Sequence, residues 1–253
     1  MTTTARAVLE VDGVGVRFGA HAVLKTASFS AWKGRITTLM GRNGVGKTTL
    51  LRAAVGLVRP EWGRVLFGED FIARPRLHDL ATRGLMYSSA ESALAHRFSV
   101  RDHVLAFSRV YGGDDFLPEI TARLALGALL EQSARDLSGG ERQRVTLGLA
   151  LLRLPSCVLM DEPFADVAPT DRPLIAAGLS ALRDQGAAIV ISGHDVEDLF
   201  AVADEVIWVV AGTTHWLGTP GRAARHDEFR RSYLGPRADV FLHASGDPSM
   251  NPR

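Results

Sequence analysis

Three short stretches carry residue types at spacings that chemistry can use. In Gly41-Arg42-Asn43-Gly44-Val45-Gly46-Lys47-Thr48, glycines precede a lysine and a threonine, so backbone amides can approach a polyphosphate without side-chain obstruction. Lys47 can bring an ammonium to the β- and γ-phosphates, Thr48 offers a hydroxyl suited to magnesium, and Thr49 can cap the next helix or touch the α-phosphate. In Leu137-Ser138-Gly139-Gly140-Glu141, the Ser138 to Glu141 spacing is that of a helix-start capping box, with Gly139 and Gly140 leaving the amides between them uncovered. Asp161-Glu162 ends the apolar run Cys157-Val158-Leu159-Met160, where a carboxylate emerges at the edge of a sheet.

These groups need elements that hold them. Ile36 to Met40 is an apolar strand feeding the glycine loop, and Thr49 to Val55 has helical spacing that stops near Gly56 and Pro60, which puts a helix N-terminus behind the phosphates. Ala7 to Val16 alternates apolar and polar positions around Gly13 and Gly15 and predicts an edge strand with a bend. Val23 to Trp32 and Arg64 to Phe67 read as further strands. From about Phe98 to Glu131 the pattern is helical, with breaks at Gly112-Gly113 and Pro118. Leu149 to Leu154 closes a helix before Pro155; Cys157 to Met160 and Ala187 to Ser192 are buried-type strands flanking a helix near Asp171 to Gln185. Glu205 to Val210 and Gly212 to Leu217 form a closing hairpin. Alternating strands and helices predict an α/β fold with a mainly parallel sheet, an N-terminal antiparallel β subdomain and a small helical insertion at about 98–135. A single domain over 7–235 is expected, with 236–253 as a loose tail.

Composition narrows the class. The chain has 253 residues, 46% hydrophobic and 23% charged, enough for a full core in one large or two closely joined domains. Its 29 basic and 28 acidic residues give a net charge of +1 and no electrostatic case for a nucleic-acid partner. Cys157 is the only cysteine, which excludes an internal disulfide, and its apolar setting suits a small buried hydrophobe in a reducing compartment. Met1 to Arg6 lacks an apolar core of signal-peptide length, and no stretch approaches the roughly 20 apolar residues that span a bilayer.

The three motifs in this order resemble the ATP-binding-cassette (ABC) ATPases, and the resemblance runs from about Val8 to Gly235. It implies ATP binding by Gly41 to Thr49, magnesium held by Thr48 and Asp161, Glu162 as general base and His194 as a switch histidine on the γ-phosphate. The other seven histidines have no ligand-like spacing. Phe18 is where the family places an aromatic ring against adenine. Ser138, Gly139, Gly140 and Glu141 would close over ATP held by a second ATPase subunit, identical or related.

The family reading further implies an integral membrane permease as partner, docked through Phe71 to Val104, and a cytoplasmic chain attached peripherally at the inner face of the cell membrane. Glu162-Pro163-Phe164-Ala165 and Tyr233-Leu234-Gly235 are similar to the branch serving branched-chain amino-acid uptake and lipopolysaccharide export. Two positions depart from the pattern. Ala90 stands where a glutamine is usual, with Glu91, Ser88 or Ser89 as substitutes, and Ala168 stands where an aspartate precedes proline, with Asp166 or Asp171 as substitutes. The alternatives are a soluble non-transport ABC ATPase and a weakly hydrolysing regulatory ATP binder.

Overall fold

The computed structural model describes residues 6–89, 94–237 and 241. Ala90 and Glu91, and the tail beyond Arg237 apart from Phe241, lie outside the described residues. The strands are β1 (Leu9–Phe18), β2 (His21–Ala31), β3 (Arg35–Met40), β4 (Trp62–Phe67), β5 (Asp70–Phe71), β6 (Leu85–Ser88), β7 (Cys157–Met160), β8 (Ala188–Gly193), β9 (Glu205–Val210) and β10 (Thr213–Gly218). They form a ten-stranded sheet in the order β5-β4-β1-β2-β10-β9-β3-β8-β7-β6. The β9-β3-β8-β7-β6 portion is parallel, whereas β5-β4-β1-β2 and the β9-β10 hairpin are antiparallel.

Strands in the parallel portion are covered on both faces, which is why β7 and β8 are buried at every position and read as continuous apolar runs. Their side chains alternate between two cores. Val158, Met160, Ile189 and Ile191 point into one with the helices α3 (Val100–Tyr111), α5 (Gly139–Arg153) and α6 (Arg172–Asp184), while Cys157, Leu159, Ala188 and Val190 join the core beneath α1 (Lys47–Ala54) and β1. Burial pushes the Cys157 thiol up to about 12, so it remains a neutral packing group.

Two expectations need correction. β1 is not an edge strand: it lies between β2 and β4, and its Gly13 and Gly15 fall at irregularities where the pairing register shifts rather than at an open edge. Pro118 does not break a helix either. It occupies the first turn of α4 (Leu117–Arg123), where proline's missing N–H costs nothing. The break at Gly112-Gly113 is real, since Gly112 ends α3 with φ 77°. The remaining helices are α2 (Leu77–Thr82), α7 (Val196–Val202) and α8 (Pro220–Arg225). A short C-terminal turn, Asp227–Leu234, follows.

Candidate nucleotide site

β3 ends at Met40 and hands the chain to the glycine loop, which enters α1 through Gly46. Gly46 has φ 109°, and a Cβ there would lie 2.8 Å from Leu24 Cδ2, so both backbone conformation and space require glycine. The turn sets Lys47 as the first residue of α1 with only 4% exposure. Burying an ammonium is costly unless it is paired. Here Lys47 Nζ donates to the carbonyls of Gly41 (2.9 Å) and Arg42 (3.2 Å) and lies 3.3 Å from Glu162 Oε1.

β7 and β8 bring the carboxylates to the same place. Asp161 Oδ1 accepts hydrogen bonds from Thr48 Oγ1 (3.1 Å) and Ser192 Oγ (2.5 Å), and the Glu162 amide donates to Ser192 Oγ at 3.0 Å. Ser192 therefore fixes both acidic residues from the neighbouring strand. Glu162 has φ 54°, a left-handed conformation that a non-glycine residue adopts at a cost of about 1–3 kcal/mol and that clusters at functional sites. That conformation holds its carboxylate between Lys47 and His194, whose Nδ1 lies 2.9 Å from Glu162 Oε2.

The result is a cleft of about 760 Å³ lined by, among others, Asn43, Gly44, Lys47, Thr49, Glu162 and His194. Lys47, Thr48, Thr49, Asp161, Glu162 and His194 are thus brought together. Arg42 and Val45 face the other side of the loop, in a smaller hollow with Trp208 and Tyr233. Phe18, at the end of β1, is 55% exposed and is not among the lining residues. Thr48 and Asp161 supply two hard oxygen donors in mutual contact, a set that fits a magnesium ion sharing its shell with phosphate oxygens and water.

Ser138 to Glu141 stand outside this cleft. Ser138 caps α5: its hydroxyl accepts from the Glu141 amide at 3.3 Å, while Glu141 Oε2 accepts from the Ser138 amide at 2.8 Å. A Cβ at Gly140 would lie 2.3 Å from Asp171 Oδ2 and 2.8 Å from Asp171 Cβ, so any larger residue would displace Asp171. The Ser138 amide holds the Glu141 carboxyl below its ordinary value of 4.5. A pKa lower folded than unfolded means that the stabilisation is complete above the unfolded value and lost as pH falls through the folded one. The first turn of α5 is expected to lose amide-exchange protection as pH drops below about 4.5, and Glu141→Gln should abolish that pH dependence.

Of the two substitutes for the aspartate absent at Ala168, Asp171 is committed within the chain, 3.2 Å from Arg144 Nε, whereas Asp166 lines the cleft. Sequence reasoning did not single out Ser192 or Arg172. Arg172 also lines the cleft and pairs with Asp198 at 2.7 Å and Asp195 at 3.3 Å, tying the start of α6 to the segment after His194. Ser192 had one available signal, its place at the end of a buried strand two residues before His194.

Comparison with known proteins places the chain in a family and a fold. The family model described as ABC transporter matches residues 24–165. The lipopolysaccharide export system ATP-binding protein LptB of Escherichia coli (strain K12) is 31% identical over 235 residues, which cover 90% of this chain and 98% of that protein. The zinc import ATP-binding protein ZnuC of Halorhodospira halophila is also 31% identical, over 96% of this chain and 90% of its own length. Among solved structures, a nucleotide-free ATP-binding cassette from an ABC transporter superposes with a TM-score of 0.75 at 22% identity, covering 93% of this chain and 98% of that one. The ADP conformation of MJ1267, an ATP-binding cassette of an ABC transporter, gives a TM-score of 0.74 at 23% identity, over 96% of this chain and all of that one.

Proposed function

The chain belongs to the ABC transporter family, and from that premise we propose that it is the ATP-binding and ATP-hydrolysing subunit that energises transport by a partner membrane permease. The observation that carries this reading is the contact series Lys47, Glu162, His194, with Glu162 Oε1 at 3.3 Å from the lysine and Oε2 at 2.9 Å from the histidine. A carboxylate placed between a phosphate-binding cation and a second polar group can accept a proton from a water attacking the γ-phosphate.

In this reading the amides of Gly41 to Thr49 and the N-terminus of α1 cradle the phosphates. Lys47 exchanges its ion pair with Glu162 for the β- and γ-phosphates, which frees Glu162 to act as base. His194 holds Glu162 in place and meets the γ-phosphate. Thr48 and Asp161 would hold magnesium, which when bound neutralises charge on the transferring phosphoryl group. Phe18 lies along the adenine.

Ser138, Gly139, Gly140 and Glu141 stand outside their own cleft, which accords with a role in the site of a second subunit, identical or related. Two subunits packed head to tail then enclose two ATP molecules. ATP binding favours closure and hydrolysis releases it. The 7–235 region acts as one ATPase domain, attached to the permease at the inner face of the membrane. Among the described residues no helix is long and apolar enough to cross a membrane, which leaves the solute path to the permease. The differing solutes in the relatives' names leave this chain's solute open.

The test is purification of tagged Glu162→Gln from detergent-solubilised membranes with ATP and magnesium, followed by mass spectrometry. A polytopic membrane protein in comparable amount, lost when ATP is withheld, is expected. Recovery of soluble complexes alone would replace the transport reading with a non-transport ATPase, and recovery of no partner would favour a regulatory ATP binder.

A further inference from the structure

The C-terminal turn reaches back to the cleft at His194. Arg230–Leu234 is a single π-helical turn, a wider coil than the α-helix and one often found at functional positions. It brings the Tyr233 hydroxyl to the backbone carbonyl of His194, to which it donates at 3.1 Å. The backbone of Gly41, the first residue of the phosphate loop, lies close to the same hydroxyl. The hydroxyl thus holds, beside the base of the loop, the residue whose imidazole rests on Glu162.

A second tie runs beside the first, as the Arg42 guanidinium donates to the Ser232 carbonyl at 3.1 Å. The Tyr233 ring is itself held. It stacks on Phe229 with centroids 5.1 Å apart, and Phe229, fully buried, meets the Trp208 ring of β9 edge-on at 5.6 Å. Burial pushes the phenol up to about 12, so the hydroxyl keeps its proton and remains a donor throughout the neutral range.

We propose that Tyr233 is a positioning residue for ATP hydrolysis: its hydroxyl fixes the His194 backbone against the base of the phosphate loop and so keeps the His194 imidazole on Glu162. The inference rests on the proposed function, in which Glu162 and His194 act on the γ-phosphate. The geometry separates this role from ATP binding. Tyr233 lies on the far side of the loop from the cleft and is not among the cleft-lining residues, so it influences turnover through His194.

The test is a double-mutant cycle on the full-length chain, read by single-turnover ATP hydrolysis followed for hours so that slow rates stay measurable. Tyr233→Phe keeps the stacked ring and removes only the hydroxyl. It is expected to lower the hydrolysis rate about five- to tenfold, with the ATP concentration for half-maximal rate unchanged within about twofold. The melting temperature should stay within about 2 °C. In a His194→Ala background the same substitution should change nothing further, because the group it positions is gone.

Equal proportional losses in both backgrounds would overturn the proposal alone, as would wild-type turnover by Tyr233→Phe or a loss confined to ATP affinity. A large drop in melting temperature would likewise overturn it, assigning the hydroxyl to fold stability. Wild-type turnover by His194→Ala would remove the catalytic reading of His194 itself, and the positioning role with it.

Discussion

Lys47→Ala is expected to weaken ATP binding by about a hundredfold or more, roughly 3 kcal/mol, and to reduce hydrolysis to background. The size of the effect follows from the placement of the ammonium. It is 4% exposed, at the start of α1, and held by two loop carbonyls, so its position is fixed before any phosphate arrives. Alanine removes the buried ammonium that pairs with Glu162 and leaves that carboxylate's negative charge facing the space where the phosphates must sit. Calorimetric titration with ATP and magnesium measures this directly. Affinity within about threefold of wild type would remove Lys47 from the phosphate site.

Glu162→Gln should separate binding from chemistry. Glutamine has nearly the same shape and its amide oxygen can still accept from Lys47, but it cannot take a proton from water. Turnover should fall about 10²- to 10⁴-fold, the range for loss of a general base, while ATP affinity is kept. The backbone at φ 54° is unaffected by the change of side-chain head group. With hydrolysis blocked, ATP should hold two subunits together, and light scattering after size exclusion should show a dimer with ATP and magnesium that disperses with ADP. Unchanged turnover would take the base role away from Glu162. A variant that loses turnover yet stays monomeric with ATP would keep the base and remove the two-subunit site.

The two substitutions act on opposite ends of one contact, Lys47 Nζ to Glu162 Oε1 at 3.3 Å. They should therefore not be additive: once Lys47 is absent there is little bound ATP for Glu162 to act on. Asp161, held by Thr48 and Ser192, belongs to the same cluster, which joins α1, the end of β7 and β8.

How much of this was legible follows the range of the interactions. The phosphate loop, the α5 capping box and the strand ending in Asp161 could be read directly, because each is set by residues within a few positions of one another. Glycines at φ 77° and 109° precede a helix, a serine is matched by a glutamate three residues on, and a strand covered on both faces is apolar throughout. The same locality explains why Pro118 misled. Proline stops a helix from inside but starts one from its first turn, and the sequence pattern does not say which side of the boundary it occupies.

The burial of β1 was invisible for a different reason. Alternation reports which face of a strand is buried, and says nothing about whether another strand pairs along each edge. Ser192 was missed because its partners, Asp161 and Glu162, are some 30 residues away and meet it only across the β7-β8 ladder. Tyr233 and His194 are 39 residues apart and meet through a turn with no regular spacing.

The sequence by itself determined the family, the glycine-rich loop with its lysine, and the acidic pair at a strand end, since those depend on residue type and short spacing. Only the tertiary structure decided that Glu162 lies between Lys47 and His194, that Asp171 is committed to Arg144 while Asp166 lines the cleft, and that the Tyr233 hydroxyl of the C-terminal turn meets the His194 carbonyl. Those contacts are made by parallel strands and crossovers that bring distant segments to one edge of a sheet, and pairing of that kind leaves no local periodicity to read.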